Sequence, residues 1–145
     1  MFAMKVRWIR WLLQFGGWFN IVLGLVFFNN QLLAAFFRFA LWLENSLFSR
    51  TGILPYPQNP IHQLLIHGFG AAAIIIGASL LVSAKEPRRY LPFIFIDALG
   101  RLLYGAMMVL YVLRYSLPSV ILIFAAIELS FAILYLILCW KMAEG

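Results

Sequence analysis

Long apolar runs alternate with short polar breaks along this chain. The first run, residues 11–28, follows Lys5, Arg7 and Arg10. Its eighteen residues, at about 1.5 Å each, just cross a hydrocarbon core of roughly 30 Å. Residues 63–83, 91–113 and 117–140 give three further spanning candidates. The segment between the first and second spans is different. Residues 31–48 are apolar and aromatic, but Gln31, Arg38 and Asn45 recur every seven residues as a narrow polar seam. That pattern predicts an amphipathic helix lying in the membrane interface, with Arg38 and Trp42 as headgroup-level anchors. Residues 49–60 carry three prolines and a glycine and read as a loop. The predicted fold is all-α: a single transmembrane domain over residues 1–145, built as an integral membrane four-helix bundle with an added interfacial helix.

Charge placement sets the orientation. With residues 31–48 lying flat, Lys5, Arg7, Arg10, Lys85, Arg88, Arg89 and Lys141 fall on one side, and Arg38, Arg50 and Arg114 on the other. Seven against three is the asymmetry that the positive-inside rule expects of a multi-pass protein with both termini inside. In a bacterial cell that places it in the inner, cytoplasmic membrane. The first run is long, follows basic residues and lacks a small-x-small exit site, so it reads as a retained signal anchor.

Composition agrees with the pattern. The 145 residues are 65% hydrophobic and 11% charged, where soluble domains carry about a quarter charged residues. The net charge of +6 gathers at the ends of apolar runs, which points to headgroups and topology and away from nucleic acid. Cys139 is the single cysteine, so the chain forms no internal disulfide and no cysteine-based metal cluster.

Candidate chemistry gathers in FIFIDALGRLLYG, residues 93–105. Asp97 and Arg101 lie four apart inside a spanning run, so they share a helix face and can pair. A charge at that depth costs about 2.5–3.5 kcal/mol on insertion scales and is normally buried in protein or paired. Counting about 1.5 Å per residue, Arg101 and Glu128 reach similar depths on neighbouring helices. Asp97, Arg101 and Glu128, with Tyr104 on the same face, therefore form the candidate intramembrane network or pocket. Three readings stay open: a structural ion-pair network, a polar pocket for a headgroup, quinone or proton, and recognition of another subunit's helix.

Other positions carry weaker signals. Gly17, Asn20 and Gly24 on the first span, and Gly68, Ala72, Ala73 and Gly77 on the second, have the small-residue spacing of closely packed membrane helices, with Asn20 placed to hydrogen-bond across the interface. His62 and His67 are about 140° apart on a helix and cannot hold one metal from one face. His67 alone could serve as an axial ligand to haem or a chlorophyll-type pigment. No metal site is predicted. There is no HExxH, Gly-rich phosphate loop, cysteine pair or Ser-His-Asp arrangement, so no catalytic residue is assigned and a non-enzymatic role is favoured.

The basic start, WLLQFGGWFNIVLGL, the Pro-containing stretch, HGFGAAAIIIGASLL, the KEPRR turn and the Asp-xxx-Arg pair together resemble the DoxX-like small membrane proteins, nearest to their BphX-like branch. The resemblance implies a four-helix inner-membrane fold and, for some members, association with quinone-linked oxidation. It carries no catalytic motif onto this chain. The expected role is an accessory or structural subunit that packs against lipids and either partner subunits or its own copies, with attachment to a redox or photosynthetic complex as a specialisation. A quinone- or lipid-binding redox protein and single-histidine haem or pigment ligation are the alternatives.

Overall fold

The computed structural model describes residues 2–48 and 56–143. Arg50 and most of the 49–60 loop lie outside the described residues, as does the side chain of Lys5. Five helices follow one another: α1 (Phe2–Phe28), α2 (Asn30–Phe48), α3 (Pro60–Ser83), α4 (Leu91–Tyr115) and α5 (Ile121–Ala143). Among the described residues there is no strand. Four stretches, Arg7–Phe28, Pro60–Ser83, Leu91–Tyr115 and Ile121–Ala143, are long and apolar enough to cross a membrane, and α2 is not among them. The protein is therefore an all-α, multi-pass membrane bundle with one additional helix.

The helix ends follow local chemistry. Asn59 caps α3, its Oδ1 accepting from the Ile61 amide at 2.8 Å, with Pro60 in the first turn where a missing N–H costs nothing. Asn29 likewise accepts from the Gln31 and Leu32 amides, so α2 starts one residue after α1 stops. The third span runs on to Tyr115 and stops where Ser116 takes a left-handed conformation, φ 51°. Pro118 follows, and α5 begins at Ile121, four residues later than the apolar run. Left-handed backbone favours glycine because a Cβ is crowded there. Ser116→Gly is expected to stabilise the protein by about 0.5–1 kcal/mol, read as a higher melting temperature in detergent.

The bundle is assembled from two antiparallel pairs. In α1·α3, Gly17 lies against Gly77 and Gly24 against Gly70. A Cβ at Gly24 would come within 2.6 Å of the Gly70 carbonyl oxygen, and one at Gly77 within 2.6 Å of the Gly17 carbonyl oxygen. Only glycine allows backbones so close, and close backbones are what hold membrane helices together where lipid is as apolar as a side chain. Gly68 and Ala72 are exposed and face away from this seam; nothing lies within 4 Å of a Cβ built at Gly68. The inward positions of α3 are Gly70, Ala73, Gly77 and Leu80. Asn20 is buried on α1, but no hydrogen bond links it to α3 among the described residues, contrary to the cross-interface bond that its spacing suggested. In α4·α5, Gly105 abuts Leu129 and the Ala125 carbonyl.

The two pairs meet unevenly. At the end holding the start of α1 and the close of α5, Leu12, Leu13, Leu80, Ile94, Phe131 and Leu138 form a packed core. Toward the other end the pairs stand apart, and α2 lies across the gap. Asn30 Oδ1 is 3.0 Å from His67 Nε2 near the start of α3, while Glu44 reaches the start of α5. Both ends of α2 are thus fixed to the same end of the bundle. Leu33, Ala40 and Glu44 point inward, while Gln31, Arg38, Trp42 and Asn45 are exposed.

Candidate functional site

The centre of the bundle is an ion-pair network between α4 and α5. One helical turn separates Asp97 from Arg101, so the guanidinium lies along the carboxylate, with Arg101 Nε donating to Asp97 Oδ2 at 2.9 Å. Across the helix interface, Arg101 Nη1 donates to Glu128 Oε2 at 2.7 Å. Arg101 is 5% exposed, and the side chains of Asp97 and Glu128 are 6% and 12% exposed. Phe131 and Tyr135 close over the cation, their ring centroids 5.0 and 5.7 Å from its Cζ. Two carboxyl groups thus share one guanidinium. With both ionised, the network carries one negative charge in excess.

Tyr135 is fully buried, and its hydroxyl has no hydrogen-bond partner among the described residues. The hydroxyl fits only because Gly16 of α1 has no side chain; a Cβ there would overlap it. A buried hydroxyl without a partner is a cost that phenylalanine removes. Tyr135→Phe is expected to stabilise the protein by about 1 kcal/mol, measured as a shift in thermal unfolding in detergent.

On the α2 side of the network is a cavity of about 440 Å³. Its walls are aromatic and aliphatic: Phe19 and Phe27 from α1, Phe36 from α2, Phe69 from α3, and Phe124 from α5. Several of these rings touch edge to face or tilted, Phe27 against Phe36 at 5.3 Å and Phe69 against Tyr104 at 5.5 Å. Tyr104, Tyr111 and Glu128 supply its polar edge. A second space of about 360 Å³ adjoins it under α2 and shares Phe27, Phe36, Phe69 and Tyr104 with it. Glu128 therefore has two faces: one oxygen is held by Arg101, and the side chain also borders an apolar chamber.

Glu44 is the buried charge that the sequence reading missed. It is 0% exposed, and its Oε2 accepts from the Val120 amide at 2.6 Å. Val120 precedes the first residue of α5, so the carboxylate sits at the electropositive start of a long helix. The signal was present: Glu44 follows Leu33 and Ala40 on the apolar stripe of α2, opposite the Gln31–Arg38–Asn45 seam. Its sequence neighbours, Trp42 and Leu43, gave no hint of a helix end 76 residues away.

The remaining candidates are placed as follows. His67 Nε2 is engaged by Asn30 and its ring lies 6.0 Å from Phe28, so axial ligation through Nε2 would displace the Asn30 contact. His62 is exposed. Among the described residues no group of three His, Cys, Asp or Glu side chains could hold a metal ion. Comparisons with protein-family models, with curated proteins and with solved structures return no match.

Proposed function

We propose that this membrane protein binds an apolar molecule with a polar head in the chamber between its two helix pairs, the head meeting Glu128 and Tyr104. The cavity bordered by Glu128 is the observation that carries this reading. Elsewhere this chain packs tightly, to backbone contact in α1·α3 and through interlocking large side chains at the other end of the bundle. The outer half of the bundle is instead lined with large rings that leave a space of ligand size. Placing the ionic network at the floor of that space gives an apolar body a single oriented polar contact. A quinone or a lipid headgroup is a member of this ligand class, in keeping with the DoxX-like resemblance.

Native mass spectrometry of the protein purified in mild detergent tests the reading. A small molecule bound stoichiometrically to the wild type, and displaced by the cavity-filling substitution Ile127→Trp, is the expected result. A wild-type chain without any bound molecule, or one whose bound molecule survives Ile127→Trp, overturns it.

A second reading, as an accessory subunit, rests on a different face. Trp8, Trp11, Phe15, Trp18, Val22 and Leu25 are all exposed and repeat at alternating spacings of three and four along α1. That is the repeat with which one helix seats against another. Recovery of a stoichiometric partner from native membranes supports this reading, and a lone chain counts against it. For both readings we take the membrane to be a bacterial inner membrane with the termini in the cytoplasm, on the basic residues at the packed end of the bundle.

A further inference from the structure

The charge count of the network and the chemistry of the chamber wall carry an inference about the ligand's head, resting on the binding reading above. Asp97 and Glu128 place two carboxyl groups on one guanidinium. An uncompensated charge in the hydrocarbon interior is unfavourable, so the network as it stands is satisfied by one further positive charge. Two kinds of particle can supply it: a proton on one of the carboxyl groups, or a cation beside them.

The chamber decides where a cation would sit. Glu128 borders it, while Arg101 is enclosed on its far side by Phe131 and Tyr135. The chamber that Glu128 borders carries rings from all five helices, Phe19, Phe27, Phe36, Phe69, Tyr104 and Phe124, set among aliphatic side chains. Aromatic rings attract a diffuse positive charge and accept its hydrocarbon substituents, but they give a small hydrated ion nothing to replace its water. An anion is disfavoured by the excess negative charge.

The titratable groups around Glu128 are few. Arg101 contacts it, with Asp97 on the guanidinium's other edge; α4 also presents Tyr104 and Tyr111 to the chamber, and Tyr135 of α5 lies over Arg101. The chamber residues from α1, α2 and α3 are apolar.

We propose that the chamber takes a lipophilic organic cation, a positive charge carried on an apolar body, and that this cation exchanges with a proton held by the Asp97–Arg101–Glu128 network. Binding then brings the network to neutrality without the proton, and one proton leaves for each cation that enters. By linkage the affinity for the cation rises with pH, approaching tenfold per pH unit where the proton is held in the free protein.

The probes are tetraphenylphosphonium, neutral triphenylphosphine oxide and anionic tetraphenylborate, titrated into the full-length protein in detergent by calorimetry. Proton release is followed with an indicator dye in weak buffer. Saturable binding of tetraphenylphosphonium, tightening with pH and releasing about one proton per cation, is the expected result. Glu128→Gln should weaken it by more than tenfold and abolish the proton release, while Glu86→Gln, a substitution on the exposed turn, should leave both unchanged. The wild-type proton count needs no variant, so it decides the matter even where Glu128→Gln folds poorly. Binding of the phosphonium without proton release or pH dependence overturns the exchange. Binding of the neutral oxide in preference to the phosphonium overturns the cationic head but leaves the binding chamber intact. Failure of all three probes overturns the cation and its exchange, while the binding chamber itself stands or falls by the native mass spectrum.

Discussion

Replacing Arg101 by methionine is expected to lower stability by about 3–5 kcal/mol and to keep the protein from accumulating in the membrane. Methionine fills much of the same space, so the loss is electrostatic. It leaves Asp97 and Glu128, both nearly excluded from the surface, without the guanidinium that each now accepts from. Taking up protons relieves the repulsion but leaves two carboxylic acids without their charged partner. Glu128→Gln is the informative contrast. It leaves the Asp97–Arg101 pair intact and neutral, so its cost should be about 1–2 kcal/mol, the loss of one charge-assisted hydrogen bond partly replaced by the amide oxygen. The triple variant Asp97→Asn, Arg101→Met, Glu128→Gln removes the charges together and should recover much of the accumulation that Arg101→Met loses. Membrane-fraction yield and thermal unfolding in detergent read all three. Wild-type accumulation of Arg101→Met would mean that the guanidinium does not hold α4 to α5.

Gly77→Leu should be nearly as damaging, at about 3 kcal/mol, through sterics alone. Its Cβ would meet the Gly17 carbonyl oxygen at 2.6 Å, Ile21 Cγ1 at 2.8 Å and the Ile21 amide nitrogen at 3.0 Å. Two of those atoms belong to the α1 backbone and cannot rotate aside. The helices must separate, and Gly24 then loses its contact with Gly70 further along the same seam. Lipid offers no hydrophobic penalty for separation to drive them back together. Gly68→Leu, on the outer face of the same helix with nothing within 4 Å, should change stability by less than about 0.5 kcal/mol. Equal effects at the two positions, measured by thermal unfolding in detergent, would refute the seam.

Much of the architecture was legible because it depends on local properties of the chain. Span length, the proline-rich break and the polar seam on α2 are each contained within one segment. The Asp97–Arg101 spacing is likewise a property of one helix, and its depth relative to Glu128 follows from counting residues from each turn. The inward faces of the spans were much harder to read. In water a buried face announces itself by being apolar; here lipid-facing and core-facing positions are both apolar, so periodicity loses its contrast. That is why the small-residue spacing grouped the outward Gly68 and Ala72 with the inward Ala73 and Gly77 and passed over Gly70.

By itself, then, the sequence determined that this is a helical membrane protein with four spans, one additional amphipathic helix and a charged pair within the third span. Hydrocarbon thickness and the cost of bare charge leave little freedom on those points. Only the tertiary structure decided which glycines carry the α1·α3 contact, that Glu44 closes onto the start of α5, and that Glu128 borders a chamber as well as an ion pair. Each of those depends on how the helices are rotated against one another. That rotation is set by the joint fit of small and large side chains on different helices, which no single segment contains.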